Sequence, residues 1–396
     1  MFWFLVGLVL LYLPMGIGAV LWVQSSYKLG QKLSYKELTS EQRERYRAFE
    51  RFDLHKWNYT AFLLGGFFLM PLRAVLCIVI TSTAAVLFWC VATFFRRRDA
   101  SKESCDEGIS PLTPLGSCLL RWLSYTFPRM LLWSMGVVWI REYEWDSKIG
   151  KAAPLPPFSL QQWSGRRGRN ATVVANHVAM TDILVFMVTC AASFVSKDVI
   201  RGWPCVGVIA ESIGTVFVDR ETEEARKSAA DRVTARQVAL AEGKADHPLC
   251  IFAEGTTTNG RHVIPFKTGG FRALTPVQPA VMVYQFHWFN PSVEIVPEEY
   301  YFPLLLSQPY YILHLYWLPP MQPSPPTIPP TSSLPADQQR EERVNRFANE
   351  VRQRISEVLV KVHPNPPKGL KLPDEWHGSF RDKAEVYNML LHMERH

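Results

Sequence analysis

Apolar positions come in long uninterrupted blocks at the start of this chain and in short bursts after residue 140. Residues 1–23 (MFWFLVGLVLLYLPMGIGAVLWV) are uncharged and apolar, long enough to cross a bilayer at about 20 residues per span. A cleaved signal peptide is the competing explanation. The run lacks a basic leading region and its apolar core is too long for one, so the pattern favours a retained anchor. Residues 24–58 are polar and read as a mostly helical connector. A second apolar run, 59–95, is divided by Pro71-Leu72-Arg73. Its half from Ala74 to Phe95 can span alone, whereas Tyr59 to Met70 cannot and is expected to dip in as part of a helical hairpin. Arg96, Arg97 and Arg98 follow at once, and the positive-inside rule places that end in the cytosol. A third stretch, 115–140, carries Arg121 and Arg129 with Pro128 between its halves. That pattern predicts an interfacial or docking helix rather than a crossing.

From about residue 141 strands and helices alternate. Ala171-Thr172-Val173-Val174-Ala175 predicts a buried strand and 181–191 a helix. Residues 203–213 read as a short helix, Thr215 to Val218 as a strand, and 221–242 as a charged amphipathic helix. Leu249 to Phe252 and Ala280 to Tyr284 read as further strands. The expected fold class is therefore α/β, a mixed central sheet with flanking helices behind N-terminal transmembrane and interfacial helices. Functional side chains belong at the strand ends. The expected organisation is a membrane-anchoring region over 1–140, an α/β domain over 141–318 and a Pro-rich linker over 319–335. A helical segment over 336–396 follows. There Val344, Phe347, Val351, Ile355, Val358 and Leu359 recur at helical spacing, so that helix should pack back onto the domain.

Charge and cysteine narrow the function. A net charge of +7 suits anionic headgroups or phosphorylated ligands. There is no basic stripe, no Cys/His metal spacing and no aromatic RNA-binding signature, which argues against nucleic acid and against a metal. The seven cysteines include no CxxC pair, and the main domain reads as reduced and cytosolic. The sequons at Asn58 and Asn170 are then expected to stay unused.

The sharpest chemical feature is Asn176-His177-Val178-Ala179-Met180-Thr181-Asp182, between a strand and a helix. On one continuous helix residues five apart point about 140° from each other. His177 and Asp182 can meet only if His177 lies in the turn and Asp182 in the first helical turn. A carboxylate there is favoured by the helix dipole and could hold the imidazole as a base. The ordinary alternative is a structural histidine. Gly214 to Arg220 (GTVFVDR) ends a strand with a cation suited to a phosphate, or else with a surface Asp219-Arg220 pair. Phe252-Ala253-Glu254-Gly255-Thr256-Thr257-Thr258-Asn259-Gly260 runs into a loop rich in small and hydroxyl residues. Gly255 would allow close backbone approach and Thr256 offers a hydroxyl; a plain polar turn is the alternative. Lys267, in PFKTGGF, is a further candidate for substrate binding or a solvated lysine, and Val277-Gln278-Pro279 opens a strand.

In order and spacing these blocks resemble the four signatures of the lysophospholipid acyltransferase superfamily: NHxxxxD, GxxFVDR, FxEGT and V-x-P. The resemblance covers roughly 170–284 closely. It implies the glycerolipid acyltransferase fold, with His177 as general base and Asp182 orienting it. It also implies that Arg220, Glu254, Gly255 and Thr256 surround the acceptor's glycerol phosphate while Pro279 shapes the pocket. Acyl-CoA would be the co-substrate and a lysophospholipid the acceptor. Attack would be direct, with no covalent intermediate, metal or other cofactor. Many lysophosphatidic acid acyltransferases have Arg directly after EGT, where this chain has Thr257. EGTTTNG looks more like the phosphatidylcholine and phosphatidylethanolamine remodelling branch. Ala253 stands where Pro is usual.

The expected activity is acyl-CoA-dependent acylation of a lysophospholipid hydroxyl, in the endoplasmic reticulum membrane with the domain facing the cytosol. A glycerol-3-phosphate or lysophosphatidic acid acyltransferase, or a CoA-independent transacylase, is the alternative within the class. From another class stands a catalytically silent membrane scaffold.

Overall fold

The computed structural model describes residues 2–34, 38–97, 112–155, 171–219, 222–245, 247–325, 335–364 and 380–392, with side chains in the first helix from Leu10 onward. Arg98, Cys105, Asn170 and Arg220 lie outside the described residues, as does most of the Pro-rich linker.

The N-terminal region is helical. Helix α1 (Phe2–Lys32) is followed by the short α2 (Ser40–Arg45), then by α3 (Tyr59–Phe68) and α4 (Met70–Phe94). Asn58 caps α3 by accepting from Ala61 N, and Pro71 occupies the first turn of α4, where its missing N–H costs nothing. Gly65 lets α3 lie directly on Ser307, whose carbonyl oxygen would sit 1.9 Å from an added Cβ. Among the described residues one helix, Met70–Phe94, is long and apolar enough to cross a membrane. Only 28% of its most apolar stretch is buried, which separates it from the core helix of a globular protein. Leu11, Ile17 and Trp22 on α1 and Ile78, Val86 and Trp89 on α4 are likewise exposed.

Helix α5 (Pro114–Ser134) covers most of the third apolar stretch. Gly136, at φ +89°, ends it, and the β-branched and aromatic run that follows enters strand β1 (Val137–Asp146). The sheet therefore begins four residues ahead of the change of character at 141. Strands β2 (Lys151–Pro154), β3 (Thr172–Ala175), β4 (Ser193–Lys197), β5 (Val216–Val218), β6 (Leu249–Ile251), β7 (Val277–Gln285) and β8 (Tyr311–Trp317) complete it. Interleaved helices are α6 (Asp182–Cys190), α7 (Val206–Ser212), α8 (Glu223–Ala241) and α9 (Glu298–Leu306). Helices α10 (Ala336–Val362) and α11 (Phe380–His392) close the chain.

The sheet order is β2-β1-β8-β7-β3-β6-β4-β5. β7, β3, β6, β4 and β5 run parallel, β8 is antiparallel to β7, and β1 is parallel to β8. The class is α/β with a mixed sheet and helices on both faces. Both faces of the central strands are apolar, as a doubly covered sheet requires. Val173, Ala175, Met282 and Trp317 face one core, shared with α5 and α6. Val174, Ile251, Val281 and Val283 face the other, shared with α8 and α10. Helix α10 buries Val344, Phe347, Val351, Ile355, Val358 and Leu359 there. The carboxyl ends of five strands thus open on one edge, where a parallel sheet builds its sites.

Candidate active site

Strand β3 delivers the first residues. All four of its positions are buried, and Asn176 locks its end to β7 by donating from Nδ2 to Met282 O (3.0 Å) and accepting from Met282 N (2.8 Å). Beyond that lock the chain leaves the sheet at His177. Its N–H donates to Glu254 Oε1 at 2.8 Å, and its carbonyl accepts from Thr258 N at 2.9 Å. Asp182, first residue of α6, then folds back over the turn. Its Oδ2 accepts from Val178 N (2.7 Å), from Ala179 N (2.9 Å) and from His177 Nδ1 (3.0 Å). Two residues five apart meet because the turn between them is pinned by the same carboxylate.

That bond decides the tautomer. Asp182 is ionisable and fully buried, so Nδ1 carries the hydrogen and Nε2 presents its lone pair. Nε2 makes no hydrogen bond among the described residues, and the His177 side chain is 17% exposed. The basic nitrogen is thus reachable from outside. Phe252 stacks on the imidazole at 4.0 Å between centroids and 13° between planes, which fixes the ring's tilt. Tyr284 OH donates to Asp182 Oδ1 at 2.7 Å, and Thr181 Oγ1 lies 2.8 Å from the same phenol. Burial and the nearby Asp182 charge push the Tyr284 phenol well above its usual range, so it stays a donor. The sequence marked Phe252 only as the first residue of FxEGT, with no role, and did not mark Tyr284. Their signal was weak: each is an aromatic at the end of an apolar strand.

Glu254 is fully buried. Its second oxygen accepts from Ile264 N at 3.0 Å, so both oxygens serve the backbone. Burial raises its pKa to about 8 against the pull of the two amide donors. Its geometry joins the His177 turn to the 252–264 loop. Gly255 takes φ +71°, a left-handed conformation that favours glycine. Thr256 follows, and its hydroxyl makes no hydrogen bond among the described residues. Gly260, at φ +77°, comes close enough to Val178 that an added Cβ would lie 3.0 Å from its side chain. Lys267 is exposed, its amide donating to Ala253 O at 2.7 Å. Pro279 lies within β7, opposite Val174, below the mouth of the site. Arg220 lies outside the described residues; Val218 ends β5 on the same edge.

An N-terminal segment closes over this loop. Asn259 N donates to Ala48 O (2.8 Å), and Asn259 Nδ2 donates to Arg47 O (2.9 Å) and Glu50 O (3.0 Å). Buried Arg51 pairs with Glu294 at 2.7 Å and with Asp53 at 3.0 Å. Asp53 also accepts from Trp57 Nε1 at 3.1 Å and Asn290 N at 2.6 Å. The guanidinium lies over Phe289 at 4.2 Å. The helices and the sheet edge are therefore tied by a desolvated charge cluster rather than by apolar contact alone.

Fold and site together define an α/β protein with a carboxylate-oriented histidine at the carboxyl end of a parallel strand. Residues 159–283 match the family described as Acyltransferase. Over 207 residues, 50% of this chain and 51% of the relative, the sequence is 32% identical to lysophospholipid acyltransferase LPEAT1 of Arabidopsis thaliana. Lysophospholipid acyltransferase LPCAT4 of Xenopus tropicalis is 28% identical over 58% of this chain and 38% of its own length. Over residues 159–283 the chain is thus similar to acyltransferases, and over longer stretches to the LPEAT and LPCAT lysophospholipid acyltransferases. It spans about half the length, or less, of these relatives. The crystal structure of the 1-acyl-sn-glycerophosphate acyltransferase PlsC from Thermotoga maritima aligns with 73% of this chain and 97% of that one. Its TM-score is 0.40 and its identity 15%, too low to carry an argument.

Proposed function

We propose that the protein transfers an acyl group from acyl-CoA to the free hydroxyl of a lysophospholipid. The observation that carries this reading is the His177 Nδ1 to Asp182 Oδ2 bond of 3.0 Å, which leaves Nε2 basic and reachable beside the Gly255-Thr256 loop. The acceptor hydroxyl gives its proton to His177 Nε2 as its oxygen attacks the thioester carbonyl. The imidazolium that forms is stabilised by Asp182. Collapse of the tetrahedral intermediate breaks the C–S bond, and the departing thiolate of CoA takes the proton back. Ester and free CoA leave, and the histidine is again neutral.

Similarity to acyltransferases supports acyl transfer in general; acyl-CoA as donor and the lysophospholipid as acceptor are the finer part of the proposal. Thr256, Gly255 and Arg220 would receive the acceptor's phosphate. Thr257 stands where an arginine often follows EGT, and the Lys383 ammonium beside it is already engaged by Thr257 Oγ1 and Val293 O. A phosphodiester headgroup needs less charge there than a phosphomonoester, which favours zwitterionic acceptors. The exposed apolar faces of α1 and α4 support a protein embedded in a bilayer, its site at headgroup level. Arg96 to Arg98 support a cytosolic orientation under the positive-inside rule, and the endoplasmic reticulum is the membrane proposed with it.

Purified protein given radiolabelled acyl-CoA and a panel of lysophosphatidylcholine, lysophosphatidylethanolamine, lysophosphatidic acid and glycerol-3-phosphate tests the reading. Label should enter the zwitterionic lysolipids first. Preference for a phosphomonoester would overturn the headgroup assignment, and no transfer to any of them would overturn the acyltransferase.

A further inference from the structure

Helix α11 returns to the site from the far end of the chain. It is held by buried Val386 and Leu390, by Arg45 contacts to Asp382 (3.9 Å) and Glu385 (3.7 Å), and by Gln42 Nε2 on Met389 Sδ at 3.3 Å. From it Lys383 reaches inward. Its Nζ donates to Thr257 Oγ1 at 2.9 Å and to Val293 O at 2.6 Å. The Thr257 hydroxyl donates to the same carbonyl, closing a triangle.

We propose that Lys383 is a positioning residue for His177, the clasp that holds the catalytic turn. Val293 N donates to Val178 O at 2.9 Å, and Thr258 N donates to His177 O at 2.9 Å. The two carbonyls of the turn are therefore held by residue 293 and by the residue next to 257, which are the two strands of chain that Lys383 joins. Removing the ammonium takes away two of the three bonds that join these supports, which hold the two consecutive carbonyls that follow the imidazole.

Stability alone does not account for this lysine. Among the described residues it makes no ion pair, and its partners are a hydroxyl and a carbonyl. Burial lowers its pKa to about 8. A methionine would fill the same space without desolvating an ammonium. Geometry is what the lysine supplies.

The inference rests on the proposed role of His177, and the test separates the two. Full-length K383M is compared with the wild type in steady-state acyl transfer and thermal melting. Misplacement of a catalytic group by about 1 Å costs on the order of 100-fold in rate. K383M should accordingly lose about 10- to 100-fold in kcat, with both KM values within about threefold of wild type. Its melting temperature should be no lower. K383R should recover part of the loss, and T257V, which removes the hydroxyl of the clasp, should slow the enzyme non-additively with K383M. Wild-type kcat in K383M, or a loss of kcat that merely follows a lower melting temperature, overturns the inference. If K383M does not fold, T257V carries the same kcat expectation, and unchanged kcat there overturns it. Absence of acyl transfer in the wild type would instead sink the functional reading.

Discussion

Asp182→Asn is the perturbation that the site geometry constrains most tightly. The substitution is nearly isosteric, and the amide oxygen can keep the bonds from Val178 N and Ala179 N. The amide nitrogen then faces Tyr284, whose hydroxyl must turn to accept it and give up its own bond to Oδ1. What cannot be kept is the negative charge 3.0 Å from His177 Nδ1. A hydrogen bond to a charged group contributes about 1.5–3 kcal/mol against about 0.5–1.5 for a neutral one. The Coulomb attraction to the imidazolium adds to this, at most about 4 kcal/mol for charges 4 Å apart at an effective dielectric of 20. A transition-state loss of roughly 3–4 kcal/mol corresponds to a fall of roughly 150- to 900-fold in kcat. KM should move little, because the carboxylate touches neither substrate. The assay is CoA thiol release under saturating substrates, with circular dichroism and melting as controls on the fold. A variant keeping a third or more of wild-type kcat would refute the base-and-orienter reasoning.

His177→Ala should reduce kcat by about 10²–10⁴-fold while leaving the protein folded and membrane-retained, and near wild-type turnover would dismiss it as the base. Glu254→Gln turns one amide group against a backbone N–H of His177 or Ile264, so a stability loss of about 1–3 kcal/mol in denaturant melts is expected. Glu254 also has a pH signature. Its folded pKa of about 8 lies above its ordinary 4.5, so its contribution is greatest at low pH and declines as pH rises from about 4.5 to 8. Glu254→Gln should flatten that part of the stability profile, and an unchanged slope would count against the buried, protonated carboxyl. Arg51→Met leaves Asp53 and Glu294 buried without their cation, a loss of about 3–5 kcal/mol in unfolding experiments. A loss under 1 kcal/mol would show that solvent reaches the cluster.

The sequence by itself carried the fold class and the resemblance to acyltransferases. Four short blocks, three at a strand's end and one at a strand's start, stand in order between residues 170 and 284. Strand and turn preferences act over a few residues, so their order survives in one dimension. It also carried the condition under which His177 and Asp182 could meet, since a turn was the only arrangement that brings residues five apart together. Strand β8 was not legible, because a short, mostly apolar run such as YILHLYW has no period to separate strand from helix, and β4 (SFVSK) and α9 (EEYYFPLLL) are too short to show one. The break between α5 and β1 was hidden for the same reason, as the apolar run continues across Gly136 and only a positive φ divides it. Tertiary structure alone decided what the buried polar groups do. Glu254 reads in the sequence as a ligand-facing acid, yet its oxygens meet amides 77 and 10 residues away. Lys383 reads as one lysine on a charged helix, and its partner lies 126 residues back. Hydrogen bonds between distant segments depend on how the sheet edge and its covering helices pack, and no local preference along the chain encodes them.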